Sequence, residues 1–199
     1  MKKFNNQSAK ANLPTKLDKG FTIIELMVTI AIAGIIAAIA MPNLNDFLVR
    51  MRVDNEVTEM HRLLLTARNS AINTGLNTTV CPLNTATPQT CTNNWENDIS
   101  VFTNTTAVTN IMDGTDTLIK IKAAISNTDE LKLSNAGAII YTPSGRTLTS
   151  NANQLTYCPH GYSEESNGID ISTSGRAYIG NENSAGKYVD RDNNVFKCT

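Results

Sequence analysis

The sequence predicts an α+β fold, with one long N-terminal helix packed on an antiparallel β-rich head. Three observations predict it. Residues 21–41 form an apolar run holding one charged side chain. Beyond it, apolar positions recur at steps of three and four until Gly75. From there on, short alternating or apolar runs are separated by turn residues. Helical periodicity followed by many short strands reads as α+β, with the strands in one or two sheets.

As a helix, residues 21–41 measure about 32 Å, enough for a hydrocarbon core of roughly 30 Å. Residues 1–20 carry five Lys and one Asp, hence +4; the remaining 12 basic and 17 acidic residues leave −5. A basic head before an apolar run is a targeting pattern, and Lys16 and Lys19 suit the positive-inside rule. The acidic remainder argues against a large nucleic-acid footprint.

Glu25 does not fit a plain anchor. A carboxylate inside a membrane span costs on the order of 3 kcal/mol, and less near an interface. A cleaved secretory signal ending at Ala38-Ile39-Ala40 is an alternative, but the length of the run and Glu25 speak against it. If the chain is cut between Gly20 and Phe21, Glu25 lies one helical turn from the new amino terminus. It then suits the helix dipole, and it can meet the Phe21 ammonium of a neighbouring copy or relative. Such a pairing would set the axial register of one subunit on the next.

Pro42 removes a backbone donor and is expected to kink the helix. Beyond it, Val53, Val57, Met60, Leu63, Leu64, Ala67, Ala71 and Ile72 make an apolar stripe, expected to lie on the chain's own sheet. Arg50, Arg52, Asp54, Glu56, Glu59 and Arg62 mostly fall on other faces, and His61 is expected on a solvated one. Thr74-Gly75 is the predicted stop.

In the head, strands are predicted at 78–81, 99–103, 117–124, 138–142, 155–158, 168–172, 176–179 and 195–198. Cysteines stand at 81, 91, 158 and 198. Downstream of an export-type segment, an even number implies two disulfides in an oxidising compartment. Three pairings are open; sequence proximity favours Cys81–Cys91, which leaves Cys158–Cys198. Cys158-Pro159-His160 lacks a second pair with ligand spacing, so no metal is expected. No G-x-S-x-G, H-E-x-x-H or phosphate loop occurs, so neither catalytic residues nor a cofactor are expected. Two stretches are alike: Tyr141-Thr142-Pro143-Ser144-Gly145-Arg146 and Ile171-Ser172-Thr173-Ser174-Gly175-Arg176. The plain reading is a pair of hairpin turns. The sharper one is a partner or anion site built by Arg146 and Arg176.

Lys19-Gly20-Phe21-Thr22-Ile23-Ile24-Glu25-Leu26 resembles the class III signal of type IV pilins and type II secretion pseudopilins. The resemblance implies a prepilin peptidase that cuts after Gly20 and N-methylates Phe21. It implies that Glu25 aids docking into a filament and that Pro42 is the family's helix-weakening proline. In the head, Trp95-Glu96-Asn97-Asp98-Ile99-Ser100-Val101-Phe102-Thr103-Asn104 is similar to the "W-x-x-G-W-x-V-F-x-D" stretch of the minor pilins FimT and FimU and the pseudopilin GspH, with Asp98-Ile99 in place of Gly-Trp. Residues 141–145 resemble their "F-x-P-x-G", and Gly175-Arg176 their "G-R".

On this resemblance the chain divides into a leader (1–20), a transmembrane and assembly half-helix (21–41), an amphipathic half-helix (42–75) and a β-rich head (76–199). The implied function is that of a minor pilin priming type IV pilus assembly near the tip. The implied partners are the prepilin peptidase, the major pilin, other minor pilins and the inner membrane. The protein would cross that membrane once before assembly and then join the pilus, its head periplasmic and later extracellular. Two alternatives stand beside this. A FimT-like DNA-uptake pilin would carry "G-R-x-R", but Tyr178 occupies the second Arg position and the mature chain is acidic. A minor pseudopilin of a type II secretion system would carry the same leader; the two disulfides and the Asn/Thr-rich loop favour a pilus.

Overall fold

The computed structural model describes residues 20–107, 109–135, 137–148 and 152–198, excepting the side chains of residues 40–43. The expected leader therefore lies outside the described residues up to Lys19, and the kink expected at Pro42 rests on side chains outside them. The chain falls into two units, one ending at Asn43 and one starting at Leu44. The helix α1 (Ile23–Thr74) contributes to both.

In the first unit, α1 is apolar on every face, and Ile23, Ile24, Leu26, Met27, Ile30, Ile35 and Ile39 are all exposed. A helix apolar all round needs a membrane or other helices around it. Among the described residues no single helix is long and apolar enough to cross a membrane; Ile23–Ile39 meets that test only together with Leu44–Thr74.

In the second unit, α1 buries the predicted stripe. Val53, Met60, Leu63, Leu64, Ala67 and Ala71 are almost wholly buried, and Val49 extends the stripe. Ile72, expected to widen it, stays half-exposed. The helix ends at Thr74, and Gly75 follows with φ +70°, the left-handed stop that glycine provides.

The strands follow in order: β1 (Asn77–Pro82), β2 (Gln89–Thr90), β3 (Ile99–Asn104), β4 (Ile111–Met112), β5 (Thr117–Lys122), β6 (Glu130–Leu133), β7 (Ile139–Tyr141), β8 (Asn153–Cys158), β9 (Asn167–Ile171), β10 (Ala177–Ile179), β11 (Asn181–Glu182) and β12 (Tyr188–Val189). They build two antiparallel four-stranded sheets, β5-β3-β1-β7 and β10-β9-β8-β6, and two small ribbons, β2-β4 and β11-β12. The short strands β2, β4, β6, β11 and β12 carry too few alternating residues to announce themselves. The strand expected at 195–198 is reduced to a single bridge between Val189 and Val195.

Both large sheets face the helix. Val80, Ile99, Val101 and Ile139 of the first share one core with Leu155, Tyr157, Ile169 and Ile171 of the second and with the helical stripe. The polar face of the helix is not simply solvated, as periodicity suggested. Lys122, buried on β5, pairs with Glu56 at 2.7 Å. Arg50 pairs with Glu165 at 3.0 Å. His61 Nε2 lies 3.1 Å from the Ala177 carbonyl, so it is partly buried against β10 and not on a solvated face.

Asp129 forms a buried hub between helix and head. Its carboxylate accepts bonds from Arg52 (3.0 Å), the Tyr157 hydroxyl (2.5 Å) and the His160 amide (2.9 Å). Burial pushes its pKa up, but the Tyr157, His160 and Arg52 donors outweigh that and hold it below the usual carboxylate range. Burial and the Asp129 carboxylate together push the Tyr157 hydroxyl well up. Cys81–Cys91 and Cys158–Cys198 are bridged, with Cα separations of 5.5 and 5.7 Å. The first ties β1 to the loop after β2, and the second ties the end of the chain to β8.

Candidate functional site

Two places hold the residues singled out in the sequence. The first is the start of α1. Gly20 and Phe21 precede the helix and are exposed. Glu25 sits in the first turn and is held by Thr22. The Thr22 backbone amide donates to Glu25 Oε2 at 2.9 Å, and the Thr22 hydroxyl donates to the same oxygen at 2.8 Å. The Glu25 amide in turn lies 3.3 Å from the Thr22 hydroxyl. This is a capping box, in which side chains at either end of a first turn satisfy helix amides that have no partner inside the helix. Its T-x-x-E signature stands in the sequence, beside the helix-dipole and amino-terminus roles expected of Glu25. Among the described residues no cation pairs with Glu25. The box therefore satisfies hydrogen bonds, and among the described residues it brings no countercharge to the carboxylate.

The second place is formed by the two similar stretches, and the structure brings them together. Both are turns with one hydrogen-bond pattern. Gly145 N donates to Thr142 O and Gly175 N to Ser172 O, each at 2.8 Å. Thr142 N donates to Arg146 O at 2.8 Å and Ser172 N to Arg176 O at 2.9 Å. A hydroxyl pair repeats as well, Thr142–Ser144 and Ser172–Ser174, each at 2.9 Å. Gly145 and Gly175 take φ of +73° and +77°, the left-handed conformation that closes a three-residue hairpin connection.

The first turn leaves β7, at the edge of one sheet, and the second joins β9 to β10 at the edge of the other. They meet where Thr147 N donates to Thr173 O at 3.3 Å. The hairpin reading therefore describes each turn, and their contact makes a seam between the two sheets. The helix closes the seam, because Arg68 Nε donates to the Gly145 carbonyl at 2.8 Å. Arg146 and Arg176 are both exposed, and a β-carbon on Gly175 would lie 3.2 Å from the Arg146 Cα. Among the described residues no carboxylate pairs with Arg68, Arg146 or Arg176. Arg68 was not singled out in the sequence, because its periodicity marks it only as a residue flanking the stripe.

Two residues beyond Arg176, the Tyr178 ring carries the Arg191 guanidinium 4.6 Å from its centroid. Arg191 also reaches Asp170 at 3.6 Å, so that cation is already engaged. Among the described residues no group of three His, Cys, Asp or Glu is placed to hold a metal ion.

Comparison with known proteins finds two family matches. Residues 15–41 match the prokaryotic N-terminal methylation motif. Residues 56–175 match the family described as type II transport protein GspH. A fimbrial protein of Pseudomonas aeruginosa is 51% identical over 57 residues, which cover 29% of this chain and 36% of that protein. The type IV major fimbrial protein FimA of Dichelobacter nodosus is 52% identical over 42 residues, 21% of this chain and 26% of FimA. The chain thus aligns with only about a third or less of these relatives' lengths. The crystal structure of the type IV minor pilin FimU of P. aeruginosa superposes with a TM-score of 0.55 at 14% identity, covering 72% of this chain and 96% of FimU. That likeness shows the fold, a long N-terminal helix on antiparallel sheets. With the family match covering more than half of its length, the chain belongs to the type II transport protein GspH family, carries the N-terminal methylation motif and has the fold of a type IV pilin.

Proposed function

We propose that this protein helps prime type IV pilus assembly and enters the filament near its tip, docking through its N-terminal helix. Family and fold are those of structural pilins, which implies contact with other pilins and with the machinery that processes them. In this reading the prepilin peptidase cuts between Gly20 and Phe21 and methylates Phe21. The head faces the periplasm while α1 sits in the inner membrane, and it later faces outwards on the pilus.

One observation carries the reading. Glu25 puts a carboxylate on the first turn of an otherwise apolar helix, with hydrogen bonds from Thr22 and no cation paired with it among the described residues. The freed Phe21 ammonium of a neighbouring subunit is the missing cation, and in an apolar setting pairing stabilises both charges. Leu44, Phe47, Leu48 and Met51 lie exposed on the second unit's part of the helix and offer neighbouring helices an apolar surface.

The test is the amount of major pilin sheared from cells that lack the gene, carry it, or carry Glu25→Ala. The reading expects surface pili to collapse without the gene. It expects Glu25→Ala protein to remain in the membrane fraction and be missing from sheared pili. Normal piliation in the deletion strain would overturn it. The GspH match favours one second reading, a minor pseudopilin of a type II secretion system. In that case the deletion abolishes secretion and leaves pili intact.

A further inference from the structure

The second unit of this protein is polarised along its helix. Asp46 and Asp54 lie near its start. At that level Glu182 approaches Arg50 at 3.9 Å, and Tyr188 donates to Asp54 at 3.1 Å. Asp46 is exposed and makes no ion pair among the described residues. From Arg50 and Asp54 to Arg68 is about 21–27 Å along a helix rising 1.5 Å per residue. At that far level stand Arg68, Arg146 and Arg176, all cationic and, among the described residues, none paired with a carboxylate.

The contrast with the other arginines is informative. Of the other four, Arg50 and Arg52 are engaged by buried or half-buried acids and Arg191 by Asp170, while Arg62, exposed in mid-helix, has no ion pair among the described residues. On a chain whose residues after 20 sum to −5, three of the four arginines without an ion pair among the described residues gather at this one edge. They also sit on a rigid support. The twin turns repeat their hydrogen bonds, they abut through Gly145 and Gly175, and Arg68 is fixed by its bond to Gly145. The turns fix where the Arg146 and Arg176 side chains start, and the guanidinium fork matches a carboxylate in two parallel bonds.

We infer that the edge formed by Arg68, Arg146 and Arg176 is a docking surface for the carboxylate-bearing face of a neighbouring pilin's head. The inference rests on the proposed filament role, in which subunits docked by their helices are staggered along the axis. Stagger brings the far end of one head against the near end of the next. In this chain the near end is acidic, so a neighbour with the same polarity supplies the complement. Charge complementarity of this kind fixes which partner binds and how fast, more than how tightly.

The test uses full-length protein in detergent and, as probe, detergent-solubilised pilins from sheared pili of the same cells, at low and raised salt. Arg146→Glu/Arg176→Glu is expected to bind these pilins at least tenfold more weakly at low salt. Arg146→Lys/Arg176→Lys is expected to fall between wild type and the Glu variant, because charge is retained and the two-bond fork is lost. Raised salt should shrink the difference. Both side chains are exposed, so an unchanged melting temperature checks that the variants are folded. Equal pilin binding by wild type and the Glu variant, or none by either, overturns the inference. So does a Glu variant that loses binding to duplex DNA and keeps binding to pilin, which makes nucleic acid the ligand. If Glu25→Ala is excluded from pili while the Glu variant binds and incorporates normally, the filament role stands and this surface falls. If the deletion strain makes normal pili, the filament role falls whatever the binding shows.

Discussion

A β-carbon added to Gly175 would stand 2.0 Å from the carbonyl oxygen of Gly145. The two residues occupy the same place in two copies of one turn, and their backbones touch where the sheets meet. Gly175 is therefore glycine for two reasons: its φ of +77°, and a neighbour that is backbone and cannot move aside. Gly175→Ala is expected to destabilise the protein by about 3 kcal/mol, combining strain at positive φ with overpacking. Gly75→Ala has the same kind of φ but open space, so about 1 kcal/mol is expected. Gly114→Ala meets no atom within 4 Å and should stay within about 0.5 kcal/mol. Thermal melts of the three variants in detergent check this order.

Asp129 sets a pH dependence. Its folded pKa lies below its unfolded value, near 3.9 for a free aspartate. The stabilisation is thus fully present above about pH 4 and is lost as pH falls through the lower, folded pKa. Asp129→Asn should be less stable at pH 7 by about 2 kcal/mol, since it weakens bonds from Tyr157 and Arg52. It should also lose less stability than wild type on acidification. Melts at pH 7 and pH 3 measure both effects; parallel curves would exclude the hub as a source of acid sensitivity.

The two disulfides close loops of unequal length, with sequence separations of 10 and 40 residues. On loop entropy alone, removing Cys81–Cys91 should cost about 3 kcal/mol and removing Cys158–Cys198 about 4 kcal/mol. Paired Cys→Ser variants, compared by denaturant midpoint, check the order. The longer bridge also holds the last residues, where Phe196 is buried and its carbonyl accepts the Ser166 hydroxyl at 2.7 Å.

Around the helix start, two variants separate processing from docking. Gly20→Ala should leave a larger, unprocessed precursor visible by immunoblot of membranes; normal processing would remove the class III reading of the leader. Thr22→Val deletes the hydroxyl of the capping box and keeps its amide bond to Glu25. It should be processed normally and cost the helix start about 1 kcal/mol. Its incorporation into sheared pili should fall far less than that of Glu25→Ala, because the carboxylate remains for the neighbouring subunit.

Much of this protein is local, and the sequence by itself determined that part. Phe21, Glu25 and the apolar run show through composition and order alone. The stripe from Val53 to Ala71 follows from helical period, and the stop at Gly75 from a residue able to take positive φ. Each rests on interactions within a few residues, so each can be read along the chain. Arg68 and the seam between Gly145 and Gly175 could not be read this way. Neither could the Asp129 hub, the Lys122–Glu56 pair or the contact of His61 with Ala177. They join residues between 28 and 116 positions apart, and only the packing of two sheets on one helix decides which of them meet. Periodicity can say that Arg52 and Glu56 leave the apolar stripe. Whether water or a buried partner then receives them is settled by the fold, because the free energy of a charge depends on what surrounds it.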